Sequence, residues 1–489
     1  MSTSAATGFC RVTVVAPDSR IDVALPEDIA VADVYPEILR LTGQGQAAAT
    51  PTGYHLVRRD GTVLDSARTL VAQRVLDGEV LLLRPFAESL PPAVFDDVAD
   101  AVASAITRNR RLWSDDMLRG AGLVGGVLLL LLMGFVLWYA DPVRHDMHGL
   151  PGIIAGAAGV LLTAFAGVRA RVYGDRYGAV AFGLGALPLL LVAGSGIIGP
   201  ADGQGPGRLQ FLLGCVTVLV ASVVLVALAP SGDAPFVAAT FLAAVGTLAT
   251  FAAILTEASA TAAASVCAPV AIGLVAFLPG LSARFARLPI GYAAPRTPSI
   301  DAVDFDGDEQ PDAQPVEAER IALQARRGHE MLLGLVGGCA AVVVASAAVL
   351  GFAGNAWGQC LALAAGLAML LRARLFRYTS QVACALVAGL AAIGLLILGL
   401  SLNPPADLVR ELLVHGDRGG LDIRTIWLSA AVAAGVALIT AIGLIIPKKG
   451  LSPFWGRLLD IVEGAVLLSL VPLCLAVLDV YSAARSLTS

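Results

Sequence analysis

Eleven apolar runs constrain this chain more than anything else in it. They fall at roughly 118–139, 150–168, 177–198, 209–229, 235–255, 259–281, 331–353, 356–371, 380–401, 425–446 and 458–482. About twenty helical residues cross the ~30 Å hydrocarbon core of a bilayer, and a segment that stays there must satisfy its own backbone hydrogen bonds. The eighth run is short, but the others have the needed length, some with tilt. Composition agrees. Of 489 residues, 57% are hydrophobic and 15% charged, and mean hydropathy is +0.78, whereas soluble domains carry roughly a quarter charged residues. The chain reads as an α-helical polytopic membrane protein with about 11 transmembrane helices.

Basic residues set the expected orientation. With the N-terminus in the cytoplasm, cytoplasmic segments hold nineteen arginines and lysines, including Arg169, Arg284, Arg374 and Lys448. The opposite side holds six: Arg144, Arg208, Arg410, Arg418, Arg424 and Arg485. The first apolar run starts near residue 118, so no cleavable signal peptide is expected. The expected C-terminus is periplasmic. A net charge of -5 lacks the basic face that nucleic acid requires.

Residues 1–88 read as a soluble cytoplasmic domain. Cys10, Val12 and Val14 alternate with Arg11, Thr13 and Val15, and Ile21, Val23 and Leu25 alternate with Asp22 and Ala24. Period two on both sides of Pro17-Asp18-Ser19 predicts a hairpin. Val31, Val34, Ile38 and Leu41 follow at helical spacing, with Gly43 as a stop. Strands are expected at Tyr54–Arg58, Thr62–Leu64 and Val80–Arg84. One helix on one face of a small mixed sheet buries these positions most simply, which is the ubiquitin-like β-grasp pattern. A conjugation donor needs a free Gly-Gly end, but Leu83-Arg84-Pro85 runs on into the chain, so the domain reads as a binding module.

Residues 89–117 predict an amphipathic linker helix. Val94, Val98, Val102 and Ile106 recur every four residues opposite Asp96, Asp97 and Asp100. Arg108, Arg110 and Arg111 can meet anionic headgroups, with Trp113 as an interfacial anchor. The bundle, 118–489, contains a long cytoplasmic loop at 282–330, whose acidic centre carries Asp304, Asp306, Asp308 and Glu309. It departs from a calcium loop in both glycine and glutamate positions. A solvated tract that meets a basic partner is the better reading. In the outer loop 402–424, ADLVRELLVHG predicts a short surface helix.

Little here suggests catalysis. His145 and His148 form an H-x-x-H pair beside Asp146, but no third ligand lies nearby, so solvated loop histidines are favoured over a metal site. His55, His329 and His415 are scattered, and no nucleophile–base pair can be argued. The seven cysteines include no CxxC pair and read as small apolar residues. No catalytic, cofactor or metal residue is assigned. GxxxG spacings at Gly122/Gly126, Gly152/Gly156 and Gly334/Gly338 predict close helix packing, within the chain or with a second copy. In the last span, Asp460 and Glu463 share a face and Asp479 lies near the far end. Intramembrane carboxylates invite an ion-relay reading. Arg457 lies within one or two turns, and a border ion pair with it, or an inter-subunit contact, explains the pair more cheaply than a relay.

The domain order, with the opening RVTVVAPDSRIDVALP and the ending LSPFWGRLLDIVEGAVLLSLVPLCLAVLDVYSAAR, resembles the EccD family of the type VII (ESX) secretion system. In the ending, Ser452, Pro453, Arg457, Asp460, Val462 and Glu463, then Val480, Tyr481 and Arg485, carry the likeness. The resemblance implies a non-catalytic scaffold in the inner membrane, needing no cofactor. It implies pairing with a second EccD copy and assembly with EccB, EccE and the ATPase EccC, which the ubiquitin-like domain would contact. It extends partner binding to the acidic loop, and membrane lipids complete the expected partners. The rival reading is a stand-alone ion or solute transporter with a cytoplasmic regulatory domain. Against it, no central span carries a mid-membrane charge and no clear repeat is visible.

Overall fold

The computed structural model describes residues 8–16, 19–43, 54–85, 114–201, 204–229, 233–286, 318–449 and 452–488. The chain divides into two compact units, residues 1–112 and 113–489.

In the first unit, β1 (Phe9–Val15) and β2 (Arg20–Pro26) form an antiparallel hairpin, with Val12 opposite Val23. Helix α1 (Val31–Leu41) precedes β3 (Tyr54–Arg58) and β4 (Val80–Pro85). The sheet order is β2-β1-β4-β3, with a parallel central pair of β1 and β4. Strand alternation sends Val12, Val14, Leu81 and Leu83 to one face, where Val31, Val34 and Ile38 of α1 cover them. This is the expected β-grasp arrangement, with one correction. Thr62–Leu64 is no strand; it makes a single bridge, Val57 to Val63. The physical reason is Tyr35. Leu64 N–H donates to the Leu56 carbonyl at 2.8 Å, but Leu56 N–H donates to the Tyr35 hydroxyl at 2.7 Å. The reciprocal bond that would extend the ladder is therefore occupied. Burial pushes the Tyr35 phenol pKa up, against the opposing pull of that N–H.

The second unit is helical. Its helices are α2 (Asp115–Trp138), α3 (Leu150–Arg171), α4 (Arg176–Ser195), α5 (Arg208–Leu228), α6 (Ala234–Thr256), α7 (Ala260–Val275) and α8 (Leu278–Phe285). They continue as α9 (Ala318–Phe352), α10 (Ala356–Arg372), α11 (Thr379–Leu402), α12 (Ala406–His415), α13 (Gly419–Lys449), α14 (Pro453–Val477) and α15 (Val480–Thr488). Among the described residues, ten helices are long and apolar enough to cross a membrane, and α7 with α8 makes eleven if the pair is one span. The expected sixth span is thus broken, bent by 66° between α7 and α8. Pro279 lies in the first turn of α8, where its missing N–H costs nothing at a helix start but would break a continuous ladder. The short helix expected after Pro404-Pro405 is present as α12, none of it buried.

Three cores organise the unit, the smallest being Met147, Ala155, Leu189 and Val192 with Leu130 and Met133 of α2 packed against them. Ala166, Leu187, Leu190, Leu225 and Phe236 unite α3 to α6. Val343, Leu361, Ala365, Met369 and Ala392 unite α9, α10 and α11, joined by residues of α7 and α14. Helix α6 packs on both α5 and α9 and so joins the two halves. Two of the three GxxxG pairs serve packing within the chain. A Cβ on Gly338 would lie 2.7 Å from Phe241 Cβ, and one on Gly334 would lie 2.6 Å from Val237 Cβ, so α9 meets α6 at these glycines. A Cβ on Gly156 would touch Ala193 of α4 at 3.4 Å. Gly122 and Gly126 face open space.

Candidate functional site

The acidic residues of the last span do not converge on a mid-membrane site. Asp460 lies in the second turn of α14, 67% exposed, and pairs with Arg374 at 3.0 Å. Its partner is thus Arg374, which follows α10, rather than the neighbouring Arg457. Glu463 is half-buried one turn further on. Asp479 occupies the joint between α14 and α15 with φ of 54°. Its carbonyl accepts from Ser482 Oγ at 2.7 Å and from Ala483 N–H at 3.1 Å, starting α15.

Charges that the sequence reading did not single out are more fully enclosed. Asp175 caps α4, accepting from Gly178 N–H at 3.0 Å. Its carboxylate, 7% exposed, also takes Arg119 of α2 at 2.5 Å and Arg169 of α3. Burial opposes its charge, but the Gly178 N–H and the two guanidiniums outweigh burial and hold the carboxyl below the usual range. One carboxylate therefore ties three helices together. At the same end of the bundle, Glu330 of α9 meets Arg176 of α4 at 3.2 Å and Arg326 at 3.6 Å. Burial, together with Glu330, raises the pKa of nearby Asp233, while Arg327 and Arg176 oppose the rise. The only local sign of this cluster was its charge beside the span ends; its members come from helices far apart in the chain.

Three further arginines cap the ends of neighbouring helices. Arg171 donates to the Leu228 and Ala227 carbonyls, at 2.8 and 2.6 Å, at the end of α5. Arg208 donates to Ala253 O at 2.9 Å and Glu257 O at 3.2 Å, at the end of α6. Arg424 donates to Leu400 O at 2.5 Å and Asn403 O at 3.4 Å, at the end of α11. Each cation meets unpaired carbonyls at the negative end of a helix. Two of the six basic residues on the sparsely basic side thus have packing roles.

The histidine pair does not form a shared centre. His145 stacks on Trp138 at 4.2 Å between ring centroids, whereas His148 Nδ1 lies 2.9 Å from Gly196 O. Among the described residues, no group of three His, Cys, Asp or Glu is placed to hold a metal ion. Arg108, Arg110, Arg111 and Trp113 of the linker, and Asp304, Asp306, Asp308 and Glu309 of the loop, lie outside the described residues.

What remains is surface suited to assembly. No described residue of α13 is buried, although it is long and apolar enough to cross a membrane. Helix α2 buries only Gly134, with Gly122 and Gly126 open. On the first unit, Phe9, Val63, Val71 and Leu76 are exposed. Such apolar surface on separate elements suits protein or lipid contact better than small-molecule chemistry.

Comparison with known proteins gives the same organisation. The family profile described as "EccD-like transmembrane domain" matches residues 118–487. The profile "WXG100 protein secretion system (Wss), protein YukD" matches residues 9–83. The ESX-4 secretion system protein eccD4 of Mycobacterium tuberculosis, strains CDC 1551 / Oshkosh and ATCC 25618 / H37Rv, is 28% identical over 499 aligned positions, covering 98% of each chain. Protomer 1 of the ESX-3 core complex superposes with a TM-score of 0.57 at 20% identity, covering 97% of this chain and 100% of that one. A chain of the MycP5-free ESX-5 inner membrane complex, State II, gives 0.51 at 23% identity, covering 88% and 99%. At these identities the two solved structures speak for the fold.

Proposed function

Because the chain belongs to the EccD family, we propose that it is a structural membrane component of a type VII (ESX) secretion complex in the inner membrane. The observation that carries this reading is the order of the two family matches, a secretion-system ubiquitin-like segment at 9–83 followed by the EccD-like bundle at 118–487. In this reading the protein is a scaffold without catalytic chemistry. Its N-terminus is cytoplasmic and its C-terminus periplasmic.

The finer assignments follow from that role. The ubiquitin-like unit docks the ATPase subunit EccC, and EccB and EccE complete the complex. The bare faces of α2 and α13 support contact with a second copy or another subunit. Asp460 and Glu463 serve a subunit contact at the bundle edge, a reading supported by the exposure of Asp460. Arg108, Arg110 and Arg111 rest on anionic lipid, and the acidic loop around Asp304–Glu309 meets a basic partner. The rival transporter reading needs a charged group midway through a span, whereas Asp175, Asp460 and Asp479 lie at or near helix ends. Extraction in gentle detergent, sizing and identification of co-purifying proteins tests the proposal. A large hetero-oligomer containing an ATPase is expected. A lone monomer that moves solute across liposomes refutes it.

A further inference from the structure

A cavity of about 890 Å³ opens at the seam between the two halves of the bundle. Its floor is one face of α6, where Ala239, Ala243, Gly246, Ala249 and Ala253 recur at helical spacing. Small side chains leave the space hollow. Helices α4 and α5 form one wall, α7 and α9 the other. Leu191, Phe211, Leu242 and Val349 line it from four different helices, and all are exposed. The cavity is therefore a groove open to the surroundings rather than an enclosed void. Its lining is almost wholly apolar, with Arg208 as the one charged side chain.

The dimensions select an occupant. Lining residues on α5 run from Arg208 to Val218, ten residue steps or about 15 Å of helix. That is about half of the ~30 Å hydrocarbon core, the depth of one leaflet. On α6 they run from Ala253 to Ala239, about 21 Å at 1.5 Å per residue. Every wall helix contributes from the end nearer Arg208 or from its middle. The groove thus starts where headgroups lie and ends near mid-bilayer. Its volume is within the roughly 300–1,000 Å³ range of ligand pockets. Water is a poor filling for so apolar a space.

The mouth is basic. Arg208 is exposed at the start of α5, held by the carbonyls of Ala253 and Glu257. A guanidinium has five N–H donors, so these two contacts fix it while leaving donors for a phosphate. We propose that the groove holds an acyl chain of a phospholipid from the leaflet at the Arg208 end, with the lipid phosphate on Arg208. The lipid acts as a wedge between the two halves, filling what the small residues of α6 leave empty. This does not depend on the secretion role, only on the bundle lying in a bilayer.

The test uses the full chain in vesicles containing phosphatidylglycerol with a photoactivatable diazirine in its acyl chain. Illumination and peptide mapping locate the adducts. The expected result is enrichment on the lining faces of α5, α6 and α7 over the lipid-facing surface of α13. Ala249→Phe, from the floor, and Ala263→Phe, from the α7 wall, each fill the groove and remove those adducts. Adducts on α13 and the sizing profile should stay unchanged, which shows that the variant is folded. Diacylglycerol bearing the same chain lacks the phosphate and should label the lining about fivefold less, the effect of one basic side chain at an anionic surface. Lining adducts no denser than those on α13, or unaffected in a folded variant, overturn the proposal. So does their absence because a second copy or a partner helix covers the groove. Equal labelling by the two lipids overturns the role of Arg208.

Discussion

Replacing Asp175 tests whether one carboxylate joins α2, α3 and α4. Asp175→Ala removes a helix cap, worth about 1 kcal/mol. It also leaves Arg169 and Arg119 without their anion. Loss of one partner from a fully buried pair costs about 3–5 kcal/mol, but Arg119 is 51% exposed and Arg169 32%, so water recovers much of that. The expected total is about 2–3 kcal/mol, which divides into a cap and a charge contribution. Asp175→Asn separates them, because Asn caps as well as Asp. It should cost about 1–2 kcal/mol, with the remainder appearing only in Asp175→Ala. The assay is SDS-driven unfolding of the full chain in mixed micelles. The lowered pKa of Asp175 fixes the sign with pH. A carboxylate held below its unfolded value stabilises above that value and loses the benefit as pH falls through the folded one. The difference between wild type and Asp175→Asn should therefore be constant near neutrality and shrink on acidification below about pH 4. An Asp175→Asn protein as stable as wild type at pH 7 would show that the two guanidiniums contribute nothing.

Other perturbations probe separate links. Gly338→Leu drives a side chain into Phe241 and should cost about 1–3 kcal/mol as α6 and α9 separate. Gly122→Leu meets open space; it should leave the isolated chain's unfolding unchanged while weakening self-association measured by crosslinking. Tyr35→Phe strips the acceptor from Leu56 N–H and should cost about 1–3 kcal/mol, read as faster hydrogen exchange at that amide. Asp460→Asn breaks an exposed pair with Arg374 and should cost less than about 1 kcal/mol in unfolding. Paired with Glu463→Gln it should nevertheless reduce co-purification of partner subunits, and unaltered recovery would count against a contact there.

Much of the fold was legible because it rests on periodicity. Alternation at Cys10, Val12 and Val14 identifies the buried face of β1, and nearly all the apolar runs become helices with ends shifted by a few residues. Hydropathy summed over the sixth run missed its bend, because Phe277 and Leu278 keep it apolar while Pro279 starts a new helix. The expected strand at Thr62–Leu64 failed for a tertiary reason, since Tyr35 arrives from α1 to take the Leu56 N–H. Site charges were the least legible. Arg457 is Asp460's neighbour in sequence, but the partner, Arg374, comes from 86 residues earlier. The grouping of Arg119, Arg169 and Asp175 similarly exists only once α2, α3 and α4 pack. Sequence shows where charge is costly; only packing shows which opposite charge meets it.

Helix α13, bare along its described length, has a topological consequence. Arg374 closes α10, and α11 then carries the chain from that end to Leu402. Asp460, near the start of α14, must be back beside Arg374 to form its 3.0 Å pair. Some segment has to make the journey between them, and α13 makes it. Its 31 residues rise about 46 Å, enough to traverse a bilayer with tilt. The helix thus sets parity: an even number of crossings between α10 and α14 starts α14 at the face where α10 ends, so the two run antiparallel. Removing α13 would leave an odd number, inverting α14 and sending Asp460 to the opposite face of the membrane. A segment with no buried residue along its described length therefore decides which way round its successor is inserted.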